Sequence, residues 1–156
     1  FILLMRIYLC LFLSLAFFYA KAQKKEFQSL FLDDLLVDHA NAVIRLDAIK
    51  IELANPKSLK QTHKRVVTIL NKKGVIHSDL HVYYDDKINI RNLGAIVYDK
   101  FGTEIKKFKS GDFKDMAAVS SFSLYEDSRI KYLNYTPTEY PYTIEFYYET
   151  TTANQD

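Results

Sequence analysis

The chain carries one cysteine, no tryptophan, four glycines and three prolines in 156 residues. The cysteine, Cys10, lies inside an N-terminal apolar run that reads as a leader to be removed. Without it, the chain has no disulfide, no thiolate nucleophile and no cysteine-ligated metal. The four glycines form no phosphate-binding loop, and no serine sits in a Gly-x-Ser-x-Gly elbow. Charge of one sign is lacking as well: 21 Lys and Arg stand against 19 Asp and Glu. Arg6 and Lys21 depart with the leader, which leaves 19 against 19. A neutral chain offers no electrostatic pull on nucleic acid or on an anionic membrane surface, so neither is expected as a partner. Ile7–Tyr19 is about 13 apolar residues where a spanning helix needs roughly 20, so a cleaved leader is expected, with an uncleaved anchor as the alternative.

What is present begins with that leader. Met5 and Arg6 precede the apolar run, and Ala20-Lys21-Ala22 is a small-x-small cleavage site, so residues 1–22 read as a secretory signal peptide. Leu9 stands before Cys10 where a lipoprotein needs a small residue. Residues 1–4 precede the first methionine, so translation starts at Met5 or the chain is part of a longer reading frame. Processing leaves 134 residues (156 − 22), enough for one domain whose core holds by burial alone. An exported chain without disulfides suits the periplasm or cell surface of a Gram-negative bacterium, with no membrane attachment after cleavage.

Phe27, Leu30, Phe31 and Leu35 are spaced as one face of a short amphipathic helix, so residues 23–37 are expected as a helical lead-in. From residue 38 to 156 strand signals dominate. Ala42–Leu53 alternates apolar and polar residues, and Pro56 closes it. Gln61–Leu70 is a second strand, and Asn71-Lys72-Lys73-Gly74 predicts a type I turn with a glycine bulge leading into a partner strand, Val75–Tyr84. Asp99-Lys100-Phe101-Gly102 predicts the same device between Leu93–Tyr98 and Thr103–Phe108. Ser110–Met116 suggests one helical turn capped by Ser110 or Asp112. Leu124–Leu133 and Tyr140–Thr150 are further strands, and the latter places Tyr140, Tyr142, Ile144, Phe146 and Tyr148 on one face. The expected fold is mainly β: an antiparallel, sandwich-like single domain with a short N-terminal helix after the signal peptide.

His77, Asp79 and His81 fall at i, i+2, i+4, and on a strand would share a face. Imidazole, carboxylate and imidazole are zinc-ligand types, and a metal-dependent hydrolase follows as one alternative. Against it, a three-residue loop at Asn71–Gly74 would set Arg65 opposite His81, Val67 opposite Asp79 and His63 opposite Tyr83, and a solvated polar face explains the same residues. No cofactor is expected. Asp33-Asp34 and Glu126-Asp127 read as solvated charge, since adjacent strand residues point to opposite faces. Aromatics cluster near the C-terminus. Tyr140, Tyr142, Phe146, Tyr147 and Tyr148 are the candidate interaction residues, with ordinary core as the other reading and a sugar platform weakened by the lack of tryptophan.

Several segments in order carry a resemblance. Asp38–Ile44, Leu70–Gly74 with His77, Val97–Gly102 with Ile105-Lys106-Lys107, and Ser123–Lys131 with Asp127 and Arg129 resemble the domain of unknown function that lies N-terminal to transglutaminase-like domains in exported bacterial proteins. The similarity covers about residues 38 to 149. It implies a β-sandwich-like accessory module, the N-terminal part of a longer protein, whose partner is a downstream papain-like Cys-His-Asp domain or an envelope protein. The catalytic residues of that neighbour have no counterpart here, so the expected role is noncatalytic. A standalone envelope protein associating through an edge strand is the remaining alternative.

Overall fold

A computed structural model of the chain describes residues 25–55, 58–118 and 128–153. The signal peptide expected over 1–22, the Glu126-Asp127 pair and residues 154–156 lie outside them. Among the described residues, eight strands form two antiparallel sheets. They are β1 (Ala42–Asn55), β2 (Ser58–Ile69), β3 (His81–Tyr84), β4 (Ile88–Tyr98), β5 (Glu104–Lys109), β6 (Lys114–Ala117), β7 (Arg129–Tyr132) and β8 (Tyr142–Ala153). The large sheet runs β1-β2-β8-β4-β5, and the small one β3-β7-β6. The sandwich-like, mainly β fold expected from the pattern is the fold observed.

The alternation along β8 sets the two faces. Tyr142, Ile144 and Phe146 point to the inner face, beside Val67 and Ile69 of β2 and Ala95 and Val97 of β4. Leu80, Val82 and Phe113 close on them from the small sheet's side. The outer face is buried at its centre too, under the N-terminal segment. The Phe27 ring lies 4.9 Å from Tyr98, the Phe27 carbonyl accepts from Thr143 Oγ1 at 3.1 Å, and the Ser29 amide donates to the Lys100 carbonyl at 3.1 Å. Thr68 and Thr143 share a hydrogen bond beneath it at 2.8 Å.

That segment corrects the helical lead-in expected over 23–37. It is a strap with a 3-10 turn at Lys25–Phe27 and one α-helical turn, α1 (Asp34–Val37), capped by the Asp33 carboxylate. A backbone bond from Ser29 to the β4–β5 turn and side-chain bonds from Thr143 and Arg45 to the strap's carbonyls stand in for helical ones, and the amphipathic spacing buries Phe27 alone, while Leu30, Phe31 and Leu35 stay exposed.

The hairpin expected at Asn71–Gly74 is also replaced. Lys72–His77 is a 3-10 helix with the Asn71 side chain accepting from the Lys73 amide, and Gly74 does not adopt positive φ. Both edges of β2 are taken, by β1 and β8, so the returning chain crosses to the small sheet, where β3 pairs with β7. Arg65 therefore faces Asp47 and Phe146, Val67 faces Ile44 and Ile144, and His63 faces Ile49 and Tyr148. The second hairpin forms as expected: Gly102 has φ 78° and the Asp99 carboxylate accepts from the amides of Phe101 and Thr103. Ser110–Asp112 is a 3-10 turn, with the Asp112 carboxylate accepting from the Lys109 amide at 2.7 Å. The small sheet is clipped across its strands by Asp115, which binds Tyr84 Oη at 2.5 Å and Arg129 Nη2 at 2.9 Å.

Candidate functional site

The two sheets are unequal in length, and the site follows from that. β1 has 14 residues and each strand of the small sheet four, roughly 46 Å against 13 Å of extended chain. The small sheet therefore covers one end of the inner face and leaves the other bare. At the bare end the register builds three cross-strand rows on the inner face: Ile49–His63–Tyr148, Ile51–Gln61–Thr150–Ile90, and Leu53–Leu59–Thr152–Ile88.

Where β3 overhangs these rows, it leaves a cleft of about 330 Å³. Its floor holds a shared carboxylate: Asp47 accepts from Arg65 Nη1 at 3.2 Å and lies 2.7 Å from His63 Nε2. The His63 ring meets Tyr148 edge-on at 5.2 Å. Burial holds the Tyr148 phenol above its ordinary pKa, with the Asp47 charge adding to the shift. The opposite wall is a second imidazole–carboxylate pair, His81 Nδ1 and Asp79 at 2.6 Å, with Tyr83 edge-on to His81 at 5.1 Å. His63 Nδ1 and Arg65 Nε are buried without a protein partner. Each imidazole gives one nitrogen to a carboxylate, and the lining holds no serine or cysteine. The cleft is thus a polar surface with aromatic walls, suited to hydrogen bonding.

Beyond the cleft the inner face turns apolar and stays open. Ile49, Ile51 and Leu53 of β1 are 58%, 61% and 71% exposed, and Leu59 of β2 is 38% exposed. These residues went unremarked as surface in the sequence, because alternation marks one face of a strand and does not say whether anything covers it.

The predicted site residues disperse. His77 ends the 3-10 helix with its carbonyl accepting from Arg65 Nη2, Asp79 has φ 45°, and His81 lies on β3, so the three do not form a strand face. Among the described residues, no group of three or more His, Cys, Asp and Glu side chains is placed to hold a metal. Of the aromatic set, Tyr142 and Phe146 are each 2% exposed and belong to the core, which corrects their place on an interaction surface. Tyr148 is half-buried at the cleft. Tyr147, on the outer face, lies across Gly94, where a Cβ would stand 2.6 Å from its hydroxyl. Tyr140 sits partly exposed, 5.8 Å from the Tyr142 ring. The Tyr142 hydroxyl is buried without a partner beside a second cavity of about 280 Å³ at the opposite end of β8.

A family model described as a Domain of Unknown Function with a solved structure, DUF3857, matches residues 55–155, from the end of β1 through β8. The chain belongs to the DUF3857 family. No curated protein matches it. Among solved structures, the module is similar to the crystal structure of a "putative protease" from Parabacteroides distasonis, with a TM-score of 0.60 at 15% identity. The match covers 74% of this chain and 24% of that one, so the chain spans about a quarter of that protein's length. At that identity the likeness concerns the fold. Among the described residues, no helix is long and apolar enough to cross a membrane.

Proposed function

We propose that this DUF3857 module is a noncatalytic interaction domain of an exported protein, held in the periplasm or at the cell surface of a Gram-negative bacterium. In this reading it docks a downstream transglutaminase-like domain on the bare inner face of β1 and β2. The observation that carries it is the run of exposed Ile49, Ile51, Leu53 and Leu59 on the same face that elsewhere forms the core. Continuous apolar surface of that kind is characteristic of contact sites. The similar structure offers a setting, since the matching region is one part of a longer chain described as a "putative protease". The topology supplies the geometry. β8 ends with Ala153 opposite Ser58, one register step from Leu59, so it delivers the polypeptide to the apolar end of the face. The paired charges of the neighbouring cleft would form the polar rim.

The test is the intact mass of the native protein from its own cells, followed by limited proteolysis of the wild type and an Ile49→Ser/Ile51→Ser variant. A mass well above that of the processed chain is expected, together with severalfold faster cleavage between the module and its neighbour in the variant. Both side chains are exposed, so the module's own stability should change by about 0.5 kcal/mol or less. A native mass equal to the processed chain, or an unchanged cleavage rate, would overturn the docking reading.

A further inference from the structure

β1 is an edge strand of the large sheet, its outer edge unpaired among the described residues, and that edge is unusually permissive. Natural edges are blunted by bulges, prolines or lysines. Here the irregularities fall at Ile44/Leu46 and Leu53/Asn55, and Leu46–Leu53 between them is regular, without proline or glycine. The other edge is built differently. β5 carries Lys106, Lys107 and Lys109 within six residues, and two copies would repel there. The two edges of one sheet thus differ in the way that separates a protected edge from a pairing one.

The side chains of β1 also fit a copy of themselves. In an antiparallel pair related by a two-fold axis normal to the sheet, opposed residues share a face, so their numbers must sum to an even value. With the axis at Ile51, Ile51 meets itself, Ile49 meets Leu53, and Lys50 meets Glu52, each twice. The inner face then joins the apolar residues of both copies across the axis. The outer face carries two lysine–glutamate pairs. Centring the axis on Lys50 instead would set Ala48 opposite Glu52 and Lys50 opposite Lys50, and centring it on Ile49 would set Lys50 opposite Ala48 and Glu52 opposite Leu46. Within one copy Lys50 and Glu52 already bridge at 2.8 Å, and Lys50 is the foremost cause of the lowered Glu52 pKa, so the two groups attract at this surface.

We infer that this protein self-associates by antiparallel pairing of β1 with β1 of a second copy, about a two-fold axis at Ile51, to give a continuous ten-stranded sheet. The pairing leaves the inner face open on both copies, and Lys50 and Glu52 lie on the outer face, so the charge variants test self-association apart from the inner-face docking proposed above.

The processed protein is examined by sedimentation velocity over a concentration series, with Lys50→Glu and Glu52→Lys variants. Both side chains are exposed, and unchanged circular dichroism establishes that each variant folds. Lys50→Glu places Glu opposite Glu, and Glu52→Lys places Lys opposite Lys. Each alone is expected to raise the dimer dissociation constant about tenfold or more, since two charge pairs change sign. An equimolar mixture of the two variants restores every pair and is expected to dimerise as the wild type does, as is the double variant. The processed protein has no other cysteine, so Ile51→Cys should crosslink copies on mild oxidation, because opposed antiparallel residues lie about 4.5 or 5.5 Å apart at Cα, within disulfide reach. A wild type that stays monomeric at about 100 μM would overturn the inference. So would a dimer indifferent to both charge reversals, or a mixture of the variants that stays monomeric. Neither charge variant should alter the proteolysis described for the docking face, which separates failure of one proposal from failure of the other.

Discussion

A methyl group at position 74 would sit 2.0 Å from the carbonyl oxygen of Asn41. That carbonyl already accepts the Leu70 amide at 2.9 Å, so it cannot yield without breaking the start of β1 from the end of β2. Gly74→Ala is therefore expected to destabilise the fold by about 2–3 kcal/mol through overpacking, seen as a lower urea midpoint with an unchanged slope. Sequence reading singled out this glycine but assigned it the wrong service, a left-handed turn position rather than a close approach. Glu145 is the converse case. On a strand whose other face is apolar it reads as solvent-facing. In the fold it is 5% exposed, held by Lys64 at 2.8 Å and by the Tyr98 hydroxyl at 2.8 Å, because the strap from Phe27 to Ser29 comes down over it. No local pattern marks a carboxylate that will be covered by a segment more than 100 residues away.

At the scale of elements, the two Asn/Asp-to-Gly turns diverge although their chemistry looks alike. Asp99–Gly102 closes a hairpin because β4 has an open edge for β5 to fill. Asn71–Gly74 cannot, since both edges of β2 are occupied. The conformational demand differs accordingly. Gly102 sits at φ 78°, where a side chain costs about 1–2 kcal/mol. Gly102→Ala should therefore lower stability by about that amount, measured by denaturant unfolding, and should speed hydrogen exchange at Thr103, whose amide binds Asp99. The strands were legible from alternation, and β8 most of all, with its Tyr142, Ile144, Phe146 and Tyr148 on one face. Their partners were not, because pairing depends on which edges remain free once the rest of the sheet has assembled.

For the whole molecule, the phenols tie stability to alkaline pH. Burial first of all raises the pKa of Tyr98, Tyr135, Tyr142 and Tyr148, and for Tyr98 the Glu145 hydrogen bond adds to it. In the unfolded chain these groups ionise near pH 10, while in the fold they hold their protons to higher pH. Above about pH 10 the unfolded state binds fewer protons than the native one, so stability falls as pH rises. The contribution is complete below pH 10. Denaturant midpoints from pH 8 to 11.5 should therefore decline above pH 10, and tyrosinate absorbance should appear in step with unfolding. Midpoints that stay flat while tyrosinate forms in the native protein would contradict the buried environment of these rings.

Composition and period alone determined that the chain after residue 22 would be a cysteine-free, β-rich region held by burial, with a hairpin at Asp99–Gly102 and an aromatic final strand turned to one side. These are local facts, settled by the two-residue period of a strand and by the backbone needs of a turn. The tertiary structure decided the rest. It folded the expected helix into a strap, sent Val75–Tyr84 to a second sheet, drew Tyr142 and Phe146 into the core, and brought His63 and Asp47 within 2.7 Å. It also left Ile49, Ile51 and Leu53 uncovered, because four-residue strands cannot shield a strand of 14. Whether an apolar face becomes core or contact surface depends on the length of what packs against it, and that length is written elsewhere in the chain.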